Sequence, residues 1–174
     1  EHFHQQLLAG PGVLPSDPLR ALYRKARQDQ DPRSLTPDNL LDRLQEPLCT
    51  GALLCEFDAF QAICYAMARM AGRSGAPVQL LLLSLTAEAG STLSRASLDR
   101  AMDNLQGIIL NCLRRGETVA RCGADQFVLL LPQASTENSR MVGQRIRRAF
   151  TRQFPHSPAV LHSFVQPLPP NTGE

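Results

Sequence analysis

Arg121-Cys122-Gly123-Ala124-Asp125-Gln126-Phe127-Val128-Leu129-Leu130-Leu131-Pro132 is the stretch whose reading settles the architecture. Residues 118–121 and 126–131 read as the two arms of a β-hairpin. Gly123-Ala124 forms its tip, with glycine where the first central residue of a type II′ turn needs a positive φ. Outward from this hairpin the apolar residues recur alternately at strand and helix spacing, the pattern of a layered α/β domain.

Upstream, Leu98, Ala101, Met102, Leu105, Ile108, Ile109 and Cys112 form the apolar stripe of a helix of about four turns, with Ser94 or Ser97 at its start. Residues 78–86 are apolar on both faces, as a central, doubly covered strand must be. Before them, residues 52–55 are a short strand. Phe57, Phe60, Ile63, Cys64, Met67 and Ala71 then follow at helical spacing, closed by Gly72 and Gly75. Downstream, residues 136–154 read as a helix with Val142, Ile146, Ala149, Phe150 and Phe154 inward, and residues 160–165 as a last strand. The order is β-α-β-β-α-β preceded by a helix, or equivalently α-β-α-β-β-α-β. This is an α/β (α+β) fold with a ferredoxin-like or nucleotide-cyclase-like antiparallel sheet, preceded by short N-terminal helices.

Residues 1–47 carry Pro11, Pro15, Pro18, Pro32, Pro37 and Pro47, which leave room only for short helices and linkers. Ser16-Asp17 supplies an N-cap, Pro18 the first helical position, and Leu19, Leu22, Tyr23 and Ala26 one face of a helix. Thr36-Pro37-Asp38 repeats the start signal before Leu40, Leu41 and Leu44. The organisation expected is helical ends at 1–27, a helical linker at 28–47, the folded domain at 48–168 and a tail at 169–174. The first residue is Glu1 and a helical pattern is already under way there, so the chain reads as a piece of something longer.

The 174 residues suffice for one domain of ordinary size, and 43% hydrophobic with 20% charged residues is globular. A net charge of +2 gives too weak an overall field to argue for nucleic acid without a local patch. Arg140, Arg145, Arg147, Arg148 and Arg152 are such a candidate, readable as a phosphate-touching face or as a solvated one. Five cysteines without a CxxC pair read as reduced, which places the chain in the cytoplasm, and no apolar run is long enough for a membrane span. His2, His4, His156 and His162 have no partners at metal spacing.

The hairpin sequence resembles the signature of the GGDEF, or diguanylate cyclase, family: Arg-x-Gly-Gly-Asp-Glu-Phe followed by an apolar strand. The element order carries the likeness over about residues 50–165. The resemblance implies acidic side chains beside divalent metal and a GTP triphosphate. Asp125 keeps that chemistry, but Gln126 stands in place of the Glu and Ala124 in place of a Gly. Where the family has an Asp late in the first central strand, Leu83-Ser84-Leu85-Thr86 has no carboxylate, and residues 87–95 lack the guanine-reading Asn and Asp. A two-metal site cannot be built on one carboxylate, so the expectation is no metal, no cofactor and no cyclase activity.

The same resemblance implies an inhibitory site for cyclic di-GMP, Arg-x-x-Asp, just before the hairpin. Arg114-Arg115-Gly116-Glu117 gives Arg-x-x-Glu, which reads either as a solvated turn or as a retained cyclic-dinucleotide site. The candidate ligand-binding residues are Arg114, Arg115, Glu117, Arg121 and Asp125. Separately, residues 8–25 resemble the end of the bacterial transcriptional activator domain of antibiotic-regulatory-type regulators. That second resemblance implies DNA contact only through a winged-helix domain outside this chain, and self-association or contact with the rest of the regulator. The function expected is a non-catalytic dimerisation or signal-sensing region of a bacterial transcription regulator. The alternative is a nucleotide-binding receptor for GTP or cyclic di-GMP without cyclase activity.

Overall fold

A computed structural model describes residues 35–46 and 50–172. The chain divides into two compact units, residues 1–48 and 49–174. The expected helix at 16–27 and the segment resembling an activator domain lie outside the described residues. In the first unit, α1 (Leu40–Leu44) starts after Asn39, whose side-chain oxygen accepts the Thr36 backbone N–H at 2.7 Å, and buries none of its residues.

The second unit runs β1 (Leu53–Cys55), α2 (Phe57–Ser74), β2 (Val78–Ala87), α3 (Arg95–Cys112), β3 (Thr118–Arg121), β4 (Gln126–Pro132), α4 (Thr136–Gln153) and β5 (Ala159–Pro167). Its five strands lie in the order β1-β3-β4-β2-β5. The last four form the antiparallel ferredoxin-like sheet that the element order predicts. β1 departs from the antiparallel expectation: it joins the edge in parallel with β3, Leu53 opposite Thr118 and Cys55 opposite Ala120.

The two-residue period of β2 divides the core. Leu81, Leu83 and Leu85, all buried, face α3 and α4 together with Val119, Phe127, Leu129 and Leu131. Val78 and Leu80 face the other way, onto Phe60 and Ala71 of α2, with Ala120 and Leu130 from β3 and β4. Both helices on the first side are capped by serine. Ser94 accepts the N–H of Ser97 and Ser135 that of Asn138, which fixes where α3 and α4 begin. α3 is longer than the apolar stripe suggests, 18 residues, ending where Leu113 turns into the core. The α2 side covers less of the sheet. On β5, Val160 and His162 are exposed and Phe164 is 62% exposed, beyond the reach of that helix's apolar cluster.

Gly72 does not close α2 but lies within it, and the helix ends at Gly75. The tail explains the glycine. Leu168 donates to the Val78 carbonyl at 2.9 Å and Asn171 to the Ala68 carbonyl at 2.9 Å, which lays the chain across α2. A Cβ at position 72 would collide with the Asn171 carbonyl. Gly72→Ala in the full chain is therefore expected to cost about 1–3 kcal/mol through overpacking. In a chain ending at Leu168 the same change gains about 0.5–1 kcal/mol of helix propensity, and urea denaturation of the four proteins reads the reversal.

Candidate functional site

The hairpin tip is built around Arg121. Its Nε donates to the Gly123 carbonyl at 3.1 Å and its Nη2 to the Ala124 carbonyl at 2.7 Å, while Cys122 N–H donates to the Gln126 carbonyl at 3.1 Å. The same guanidinium lies 3.8 Å from Asp99 of α3, which also pairs with Arg95 at 3.7 Å. The expected type II′ turn does not form. Among the described residues the glycines at positive φ are Gly51, Gly75, Gly90 and Gly116, not Gly123. A connection of residues 122–125 replaces it, because the carbonyls of 123 and 124 turn back onto the arginine. Gly123 is still useful there, since a Cβ would come within 3.3 Å of the Gln126 side-chain oxygen.

Behind the tip, Ser84 of β2 lies opposite Gln126 on β4 and His162 on β5, and Leu85 N–H donates to the Asp125 carbonyl at 2.9 Å. Leu83 and Leu85 are buried in the core, and Thr86 is hydrogen-bonded to His162 at 3.0 Å. The groups that β2 and β5 bring to this end of the sheet are thus a hydroxyl pair and an imidazole, and the hairpin adds an amide and Asp125. Among the described residues no three His, Cys, Asp or Glu side chains come together in a way that could hold a metal ion. The donor set does not fit the paired divalent cations implied by the family resemblance, and no catalytic step is derived through them.

Beside the tip an open cleft of about 470 Å³ is lined by Leu54, Cys55 and Glu56 from the β1–α2 junction, Gln106 of α3 and Arg121. Glu56, Gln106 and Asp99 gave no sequence signal, because they gather around Arg121 only once β1 has paired with β3. Burial pushes the Cys55 thiol above its ordinary value, and the Glu56 charge adds to that. The Cys122 thiol is also raised, first by burial and then by Asp125, with a backbone hydrogen bond acting the other way. Cys64 is raised by burial and by Cys55.

The five candidate residues do not form one site. Arg114, Arg115 and Glu117 lie at the start of β3, and Arg121 and Asp125 at its far end, about 13 Å away along a four-residue strand. The first group forms a closed turn: Arg114 N–H donates to the Glu117 carboxylate at 2.7 Å, and Glu117 N–H to the Arg114 carbonyl at 3.1 Å. Gly116 sits within that turn at φ 91°. Arg145 of α4 reaches the same place, donating to the Cys112 carbonyl at 2.6 Å.

Residues 91–163 match the family described as diguanylate cyclase, GGDEF domain. The domain is GGDEF-like. Solved structures with the same fold include a DGC protein from Thermotoga maritima, at 14% identity and TM-score 0.54, covering 67% of this chain and 81% of that one. Two Pseudomonas aeruginosa GGDEF domains are similar as well. That of YfiN (TpbB) is 22% identical at TM-score 0.56, covering 66% of this chain and 76% of its own. That of FimX is 20% identical at TM-score 0.54, covering 70% and 79%. No curated protein matches. None of these structures is described as a transcriptional activator, and the family match to the GGDEF-like domain begins well after residues 8–25. Among the described residues, no helix is long and apolar enough to cross a membrane.

The raised thiols have a consequence for stability. Each holds its proton more tightly folded than unfolded, so its contribution is full below the unfolded value and is lost as pH rises through the folded one. Folding stability is expected to fall between roughly pH 8 and pH 10, and Cys64→Ala, Cys55→Ala and Cys122→Ala together to flatten that fall. Urea midpoints across the range measure it.

Proposed function

We propose that this GGDEF-like domain is a cyclic-dinucleotide receptor of the cytoplasm that has no cyclase activity, with cyclic di-GMP as the ligand. The observation that carries the reading is the junction of the Arg114–Glu117 turn with α4. There the exposed Arg114 and Arg115 belong to a turn closed by the Glu117 carboxylate on a backbone N–H, and the exposed Arg145 reaches the Cys112 carbonyl two residues before that turn. Guanidinium forks suit phosphodiester oxygens and stack on purines, and a carboxylate accepts the N–H donors on the pairing edge of guanine. Arg121 contributes less to such a ligand, because its donors are already turned onto the Gly123 and Ala124 carbonyls. The hairpin and its cleft then serve as scaffold, which agrees with a tip that keeps Asp125 but has Gln126 and Ser84 where a cyclase needs further carboxylates.

A receptor of this kind is a signal-sensing module. The resemblance of residues 8–25 would connect that module to a transcription regulator.

Titration calorimetry of the chain tests the reading with cyclic di-GMP in one arm and GTP with magnesium in the other. Cyclic di-GMP is expected to bind with a Kd of about 1–10 µM. Arg114→Ala or Arg115→Ala should weaken it about tenfold or more, as expected for a charge-assisted phosphate contact. No heat and no thermal shift at millimolar cyclic di-GMP would discard the receptor. Cyclic product formed from GTP would discard the loss of catalysis.

A further inference from the structure

The outer face of α4 concentrates charge of which the nucleotide reading uses only Arg145. Its 18 residues hold Arg140, Arg145, Arg147, Arg148 and Arg152 against a single carboxylate, Glu137, in the first turn. Setting these six aside from the chain's 18 basic and 16 acidic residues reverses the sign of what remains, so the net positive charge of the protein resides on this helix. All five arginines are exposed, and none forms an ion pair with a described residue.

At 100° per residue they form two flanks. Arg145, Arg148 and Arg152 form the first, with Arg145 against the C-terminal end of α3 and Arg148 turned straight out from the core, and Arg140 and Arg147 form the second. Ile146 and Phe150 anchor the helix between them, so both flanks face outward from a rigid support. The last two turns of α3, beside the first flank, carry no charged side chain. The helix is about 27 Å long, which matches several phosphates along a duplex groove.

We propose that α4 is a docking surface for the phosphate backbone of double-stranded nucleic acid. The contact is independent of base sequence and made by arginines on both flanks. Duplex is favoured over single strand because the outer positions of the helix offer no aromatic side chain for a base to stack on. It is favoured over an anionic membrane because Met141 is the one large apolar group on that face.

Fluorescence anisotropy of the chain with a labelled 25-base-pair duplex, between 50 and 200 mM salt, tests the proposal. Contact with about five phosphates predicts a loss of about 10²–10³-fold in affinity over that range. Arg140→Gln/Arg147→Gln is expected to weaken binding about tenfold or more at 50 mM and to lower the salt slope by about two. Arg69→Gln/Arg73→Gln on α2 removes the same charge from the other face and should leave binding within about twofold. Equal loss in both pairs, no binding at 50 mM, or binding to anionic phosphatidylserine vesicles in place of duplex would overturn the proposal. Neither pair touches Arg114, Arg115 or Arg145, so cyclic di-GMP calorimetry on the same variants separates failure of this surface from failure of the receptor.

Discussion

Over residues 80–83 strand β2 is apolar toward both faces, and that constraint organises the second unit. Leu81, Leu83 and Leu85 need cover on one side, Val78 and Leu80 on the other, and a single layer of helices cannot provide both. α3 and α4 close one face and α2 the other, while β4 and β5 flank the strand and take up its backbone hydrogen bonds. The hairpin is positioned as a consequence. β4 must register Leu129 and Leu131 with the α3–α4 core, which fixes Gln126 opposite Ser84 and carries the tip to the end of β2.

The tip keeps its shape through its own side chains. Arg121 satisfies two loop carbonyls and approaches Asp99, so the loop is held by the protein's own groups. The residues around it then need only be compatible with packing, and a serine, a glutamine and a histidine are. Glu117 works similarly at the other end of β3, where its carboxylate closes its own turn and leaves the guanidinium groups of Arg114 and Arg115 outward.

Much of this was legible in the sequence because it is periodic. The doubly apolar run at 78–86, the α3 stripe and the inward residues of α4 each repeat at a spacing that burial enforces, and all three lie where that spacing puts them. The hairpin arms were legible too, but the turn type was not, because a long side chain reaching back to two carbonyls leaves no trace in local propensity. The role of Arg145 was hidden for a related reason: its partner, the Cys112 carbonyl, is 33 residues away and belongs to the backbone. Gly72 reads as a helix stop by composition, and only the crossing tail shows that it is a clearance. The parallel pairing of β1 with β3 escaped notice because three residues carry too short a period to specify a neighbour.

The crossing at Gly72 also decides which way the polypeptide departs. Asn171 is bound to the α2 side of the sheet, opposite the arginine-bearing helix, so an affinity handle attached through a cysteine at residue 172 sits on the face of this unit away from α4. Such a handle can immobilise the protein on a sensor with the α4 surface and the Arg114–Glu117 turn directed into the flowing solution.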